Sequence, residues 1–298
     1  MKISFLKYKN IYYVFSGILL IASLASILFF GLRFGIDFLG GSILEVDFEV
    51  RPENQIIQEK IQDLNLGETI IQPTGEKGVI LRFREIDETA HQQVIAKLNE
   101  ISATTEKRFE SIGPTIGKEL RQKTIILIVV SLMALLIYIA IAFRKVSRPV
   151  SSWQYGIVSI FTLFFDILIP VGLFAFLGKF YNTQFNIPII TALLTILGYT
   201  INDKVIIFDR IRENLLRSRK ENFEDLVNES LNQTLSRSLS TGTCTLLVLI
   251  AIFFLGGETL KYFALTLIVG IVSGTYSSIF LAAPLLVTWL KLRKKGWV

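Results

Sequence analysis

The chain has 298 residues, 51% of them hydrophobic and 19% charged, with a mean hydropathy of +0.53 and a net charge of +6. That is too apolar and too weakly charged for one soluble domain of uniform composition. The single Cys244 excludes an internal disulfide framework and a multi-cysteine metal site, and the single His91 excludes a His-pair metal site or an ordinary Ser-His triad.

About 20 apolar residues are needed to cross the ~30 Å hydrocarbon layer of a membrane. The first such stretch is Ile11–Leu32, preceded by Lys2, Lys7 and Lys9. Its apolar core is longer than that of a secretory signal, so an uncleaved anchor is expected. The next ninety or so residues, 33–123, read as a folded insert. Ile43–Val50 has strand character, and Pro52 opens an amphipathic helix through Ile56, Ile57, Ile61 and Leu64 that stops at Gly67. Thr69–Gln72 and Val79–Arg84 read as strands around a Pro73-Thr74-Gly75 turn. Val94, Ile95, Leu98 and Ile101 mark a second helix, and Thr105–Ile112 a last strand. The order β-α-β-β-α-β is the split βαβ, or ferredoxin-like, arrangement.

Five more apolar stretches follow: Thr124–Phe143, Trp153–Leu177, Ile187–Phe208, Thr241–Gly256 with a helical lead-in from about Gln233, and Leu260–Leu290. The expected fold class is a polytopic α-helical membrane protein. It has six transmembrane helices and an extracytoplasmic α+β insert between the first two. Its parts are an N-terminal helix (1–32), the insert (33–123) and a five-helix bundle (124–298) with a cytoplasmic loop at 209–235. Short-loop cations set the orientation. Lys2, Lys7 and Lys9, then Arg144, Lys145 and Arg148, then Arg210, Arg212, Arg217, Arg219 and Lys220, then Lys291, Arg293, Lys294 and Lys295 all fall on one side, against Lys179 and Lys261 on the other. Both termini are therefore expected in the cytoplasm. The basic runs are topology signals, and no nucleic-acid partner is expected.

Ionisable groups inside spans usually face a bundle interior or a water-filled route. Asp166 lies in the third span, Asp203 beside Asn202 in the fourth, and Arg237 just before the fifth. At 1.5 Å per residue, Asp203 is about 24 Å and Arg237 about 28 Å from the outer edge, so the two can pair if their helices touch. Asp166 lies about 20 Å from the inner side and is no obvious partner for Arg237. An ionised Asp paired with Arg loses its charge on protonation and releases the Arg, which gives a bundle with two packings a way to move with each proton. Polar stripes accompany these groups: Thr191, Thr195, Gly198 and Asn202 on the fourth helix, Thr234, Arg237, Thr241 and Thr245 on the fifth, and Thr266, Gly270, Ser273 and Ser277 on the sixth. Gly198, Gly270, Gly274 and Ser277 are expected at close helix contacts.

Several segments resemble the SecF branch of the SecD/SecF family, within the RND superfamily. Gly35-Ile36-Asp37-Phe38-Leu39-Gly40-Gly41 resembles the family's opening signature, and Ser111–Gly117 its link into the second span. Leu197–Asn214, Asn228–Arg237 and Gly274–Ile279 are the most specific matches. The resemblance implies a role in protein export across a bacterial-type plasma membrane, driven by the proton motive force. It implies a complex with SecD and the SecYEG channel, with YajC and YidC as further candidates, and contact with a translocating preprotein. It also implies that Asp203 and Arg237 are the proton-linked residues; Asn202, next to Asp203, and Asp166 are the further proton-coupling candidates. Two departures stand out. Phe143-Arg144-Lys145-Val146 replaces an aromatic-acidic-aromatic segment, and Phe165 stands where many members carry His before the third-span Asp. The signature residues Gly35, Asp37, Phe38, Gly40 and Gly41 fit either a turn that lets the chain leave the membrane or a substrate contact. A subunit of a small-molecule efflux pump and a passive scaffold are the rival readings. The short insert argues against the first and the matched Asp and Arg against the second. No phosphate loop, metal cluster or nucleophile-base set marks an enzyme, and no cofactor is expected.

Overall fold

The computed structural model describes residues 3–142, 152–217 and 222–295. The departure at 143–146 falls wholly outside them, as do the cations Lys2, Arg144, Lys145, Arg148, Arg219 and Lys220. The chain divides into two compact units: one drawn from 33–127 and 181–187, the other from 1–32, 128–180 and 188–298.

The first unit is built on β1 (Gly41–Phe48), α3 (Asn54–Ile61), β2 (Ile70–Thr74), β3 (Gly78–Phe83), α4 (Glu88–Asn99) and β4 (Thr104–Ile112). A short helix, α2 (Ile36–Leu39), precedes β1. The sheet order is β2-β3-β1-β4, antiparallel throughout, which is the expected split βαβ. Alternation decides the faces. Leu44, Val46 and Phe48 of β1 and Val79, Leu81 and Phe83 of β3 point to one side. They meet Ile57 and Ile61 of α3 and Val94 and Leu98 of α4 in one core. His91 belongs to this core, its ring stacked on Phe109 at 3.7 Å.

The second unit carries the long helices: α1 (Lys9–Phe30), α5 (Pro114–Ala142), α6 (Ser152–Tyr181), α7 (Ile187–Arg217), α8 (Phe223–Leu255), α9 (Glu258–Ser277) and α10 (Ala283–Lys295). α5 starts in the first unit. The described residues contain six helical stretches long and apolar enough to cross a membrane, α9 and α10 forming one of them. Three corrections concern boundaries. The second spanning helix begins at Pro114, ten residues before its apolar stretch. The segment 209–235, expected as a loop, is mostly helix, because α7 runs to Arg217 and α8 starts at Phe223. The last span is interrupted by a π-helical turn at Ser278–Ala282. Pro284 follows at once; it has no N–H for the ladder and its ring crowds the preceding turn, and a wider turn accommodates both.

Burial ranks the helices. α7 and the α9–α10 stretch have over half of their most apolar windows buried, whereas α5 has 6%. α1 lies against α6 where Gly172 meets it: a Cβ there would fall 2.6 Å from Ser23 Cα, and Ser26 donates to the Gly172 carbonyl at 2.8 Å. At one end, Glu224 of α8 accepts from Lys9 (3.2 Å) and Lys291 (2.7 Å), joining α1, α8 and α10.

Candidate functional site

The centre of the bundle holds an ion pair. Asp166 of α6 and Lys204 of α7 are both fully buried, with Lys204 Nζ 2.5 Å from Asp166 Oδ2. A charge on either residue alone inside apolar helices is costly, so each requires the other. Lys204 is the residue missed by the sequence reading. A lysine between Asp203 and Val205 in an apolar stretch was the available signal. With the helix ended at Phe208, that lysine falls near the inner edge. With α7 continued, Asp166 and Lys204 stand thirteen or fourteen residues from the helix ends at Ser152 and Arg217, at matching height.

The surroundings of the pair follow from two local features. Pro170 has no N–H to give the Asp166 carbonyl, four residues back. Ser273 of α9 donates to that carbonyl instead, at 3.4 Å, while also bonding the Gly270 carbonyl of its own helix. Gly274 lets α9 close on the pair: a Cβ there would stand 2.0 Å from Thr200 Cγ2 and 3.6 Å from Asp166 Oδ2. Gly270 does the same one turn away, against Ile196. Ser277 is buried between helices but bonds the Gly274 carbonyl of α9 itself. Gly198 does not fit its expected role. It lies on the exposed face of α7, with nothing within 4 Å of an added Cβ, because spacings of three and four put it on one stripe with exposed Thr191, Thr195 and Asn202. Among the described residues, Asp166 Oδ1 and the hydroxyls of Thr200 and Thr275 are buried without a hydrogen-bond partner.

Asp203 is buried at 3% exposure next to this centre. Ser238 and Arg237 of α8 are its polar neighbours across the helices, together with Lys204. The expected contact with Arg237 is not made: Arg237 is exposed on α8, and among the described residues no ion pair joins it to Asp203. Depth alone suggested that pairing; rotation about α8 turns Ser238 inward and Arg237 outward. Asn202 is likewise exposed. The structure therefore brings together Asp166, Lys204, Thr200, Ser273 and Gly274, with Asp203 adjacent, and leaves Asn202 and Arg237 on the surface of this chain.

Other residues of the Leu197–Asn214 and Asn228–Arg237 segments hold the bundle. Asn228 accepts from the Phe5 N–H at 2.7 Å, and Asn232 bonds Ile3 through both its backbone groups. Asn214 donates to Ser230 and Gln233, each at 2.8 Å, closing α7 on α8.

The Gly35–Gly41 signature is a junction. Gly40 and Gly41 have φ of +79° and +130°, where side chains are rarely tolerated. A Cβ on Gly41 would also lie 2.8 Å from the Phe83 carbonyl oxygen. Phe38 is buried, edge-on to Phe34 at 5.8 Å. Gly35 N–H donates to the Phe185 carbonyl at 2.9 Å, and Asp37 Oδ2 accepts from the Ile187 N–H at 2.8 Å.

Comparison with known proteins then places the chain. The family described as "Protein export membrane protein SecD/SecF, C-terminal" matches residues 92–292, and the SecD/SecF GG motif matches residues 25–50. A protein translocase subunit SecF from Thermobaculum terrenum is 39% identical, over 96% of this chain and 94% of that protein. One from Anaerolinea thermophila is 37% identical, over 97% and 94%. The crystal structure of SecDF, a translocon-associated membrane protein from Thermus thermophilus, superposes with a TM-score of 0.85 at 32% identity, over 97% of this chain. This chain spans 39% of the length of that SecDF chain. A second SecDF structure, in a super-membrane-facing form, gives a TM-score of 0.71. With a family match over two thirds of its length and relatives this similar from end to end, the chain belongs to the SecD/SecF family of protein export membrane proteins, on the SecF side.

Proposed function

We propose that this chain is the SecF half of a SecD-SecF assembly that uses the proton motive force to promote export of proteins through the Sec channel. The observation that carries the reading is the fully buried Asp166–Lys204 pair with buried Asp203 one residue away. Asp166 holds the Lys204 ammonium directly, while Asp203, which among the described residues makes no ion pair with Lys204, feels its charge through space. A proton arriving on Asp166 removes its charge and leaves Lys204 without its ionised partner, and one arriving on Asp203 changes the charge beside the pair. The bundle must repack each time, since an unpaired buried charge is unfavourable. The membrane field contributes about 2.3 kcal/mol per charge per 100 mV to each such step. Passive scaffolding requires none of these groups.

The exposed face made by Asn202, Arg237 and Thr241 supports a partner inside the membrane. The Thr195 and Thr241 hydroxyls are satisfied within their own helices, so the cost of exposure to lipid falls on Asn202 and Arg237. The SecDF likeness supports SecD as the subunit that covers them; both then join the proton-linked set only in the assembly. The SecYEG channel and a translocating preprotein complete the proposed partners, with YajC and YidC as further ones, and both termini are placed in the cytoplasm.

The test is secretion of a reporter protein in cells lacking the native subunit, complemented with wild type, Asp203→Asn, Asp166→Asn or Lys204→Met, with membrane abundance measured alongside. Loss of secretion is expected for all three, at normal abundance for Asp203→Asn and beyond any fall in abundance for Asp166→Asn and Lys204→Met, which break the buried pair. Full secretion by Asp203→Asn, with its dependence on the proton gradient retained, would overturn the role given to Asp203.

A further inference from the structure

The helix that carries Asp203 and Lys204 starts inside the other unit: residues 181–187 belong to the same compact body as the sheet. They are held there by a single parallel bridge between Phe34 and Phe185. The Phe185 N–H donates to the Arg33 carbonyl at 2.6 Å, and the Gly35 N–H donates to the Phe185 carbonyl at 2.9 Å. The ring of Phe34 stands edge-on to both Phe185 (6.1 Å) and Phe38 (5.8 Å), and Arg33 donates to the side chain of Asn182. Phe185 and Thr183 are buried.

Asp37 completes the arrangement. Its carboxylate takes the Ile187 N–H, the first of α7, at 2.8 Å. The next residue, Pro188, has no N–H, so this bond satisfies one of the few free donors of the first turn. A negative charge at a helix N-terminus is favourable. Asp37 is itself fixed, because α2 ends on Gly40, whose N–H bonds the Ile36 carbonyl, and continues through Gly41 into β1. An unbroken series of bonded groups thus runs from the sheet through Gly41, α2 and Asp37 to the first residue of α7.

We propose that Gly35–Asp37 and Phe185–Ile187 form a clamp that stays closed through the working cycle, with Asp37 as the positioning residue. Displacement of α7 is thereby delivered to the sheet domain and not absorbed by the loop between α6 and α7. This rests on the role given above to α7. The signature then serves transmission, and contact with substrate is not needed to explain Gly35, Asp37, Gly40 or Gly41.

The geometry supplies its own test. A Cβ on Gly35 would lie 3.4 Å from Asn186 Cβ, close to the ~3.8 Å typical of a disulfide. Gly35→Cys with Asn186→Cys is made in a Cys244→Ser background, in the full SecD-SecF complex. Membrane abundance, reporter export with and without reductant, and hydrogen exchange at the Ile187 amide are measured. The oxidised pair is expected to form and to leave export within twofold of its reduced form. Asp37→Ala is expected to speed exchange at Ile187 and to lower export at least tenfold, whereas Asp37→Asn, which keeps an acceptor oxygen, retains at least half. Oxidising the cysteine pair in the Asp37→Ala chain is expected to restore at least half of the export, and reductant to remove it again. A cap needed only for stability would change abundance and show no such dependence on reductant. The proposal is overturned if the pair fails to oxidise, if the oxidised pair blocks export with Asp37 intact, or if oxidation does not rescue Asp37→Ala. Asp37→Ala failing to accumulate leaves the first two outcomes decisive. Full export by Asp203→Asn would instead count against the role of α7, and the exchange and oxidation results would still report on the clamp.

Discussion

At the scale of single residues, the buried pair makes the sharpest demand. Lys204→Met alone leaves Asp166 uncompensated at zero exposure, which costs about 3–5 kcal/mol. Asp166→Leu alone strands the ammonium with a similar cost. The double variant removes both charges and fills the space with apolar atoms, so most of that stability should return while export stays lost. Unfolding of the solubilised complex, read as a double-mutant cycle, checks the first point, and reporter secretion the second. Additive losses in stability would mean the two side chains do not interact. The three ionisable groups of this centre were unequally legible. Asp166 and Asp203 stand out because carboxylates are rare in apolar runs. Lys204 was hidden by a boundary, since hydropathy ends the helix at Phe208 while α7 runs to Arg217. The pairing of Asp203 with Arg237 was legible as depth and not as rotation, because a shift of one residue on α8 exchanges the buried Ser238 for the exposed Arg237.

At the scale of elements, packing between α7 and α9 depends on two glycines, Gly270 and Gly274, and a third, Gly198, lies outside the contact. Gly270→Ala and Gly274→Ala would each press a methyl within 2.0 Å of a buried β-branched side chain, Ile196 or Thr200. Such side chains have little rotamer freedom on a helix. The expected destabilisation is about 1–3 kcal/mol for each. Gly198→Ala meets open space and gains helix propensity, so it is expected to be neutral or stabilising by up to about 1 kcal/mol. Midpoints of unfolding in detergent, measured for the three variants, distinguish these cases; equal losses at Gly198 and Gly274 would refute the assignment of faces. The spacing Gly270-x-x-x-Gly274 was readable from sequence, as were the number of apolar stretches and the strand order of the insert. Helix starts at Pro114 and Phe223 were not, because those first turns are polar and hydropathy finds only the part that is apolar. The π-helical turn at 278–282 was signalled by Pro284, but a proline also fits a plain kink or a helix start.

At the scale of the whole molecule, the described residues form two hydrophobic cores, one among the long helices and one on the sheet, and none of those residues belongs to both. Leu81 is central to the sheet core and Tyr155 to the helical one, each fully buried. Leu81→Ala should therefore cost about 2–5 kcal/mol within one unit only. Hydrogen exchange should rise across β1, β3, α3 and α4 and stay unchanged through the middle of α6, α7 and α9. The amides of Gly35 and Phe185 provide the decisive reading. They lie far from Leu81 in sequence, and Phe185 stands between two long helices, yet the bridge that protects them belongs to the sheet unit. If local opening follows cooperative units, both should exchange faster in Leu81→Ala, in step with the strands. In Tyr155→Ala, which opens the helical core, they should keep their protection while α6 and α7 lose theirs. A Phe185 amide that follows Tyr155→Ala and ignores Leu81→Ala would assign the start of α7 to the helical bundle. The sheet domain would then receive nothing from that helix, whatever its own stability.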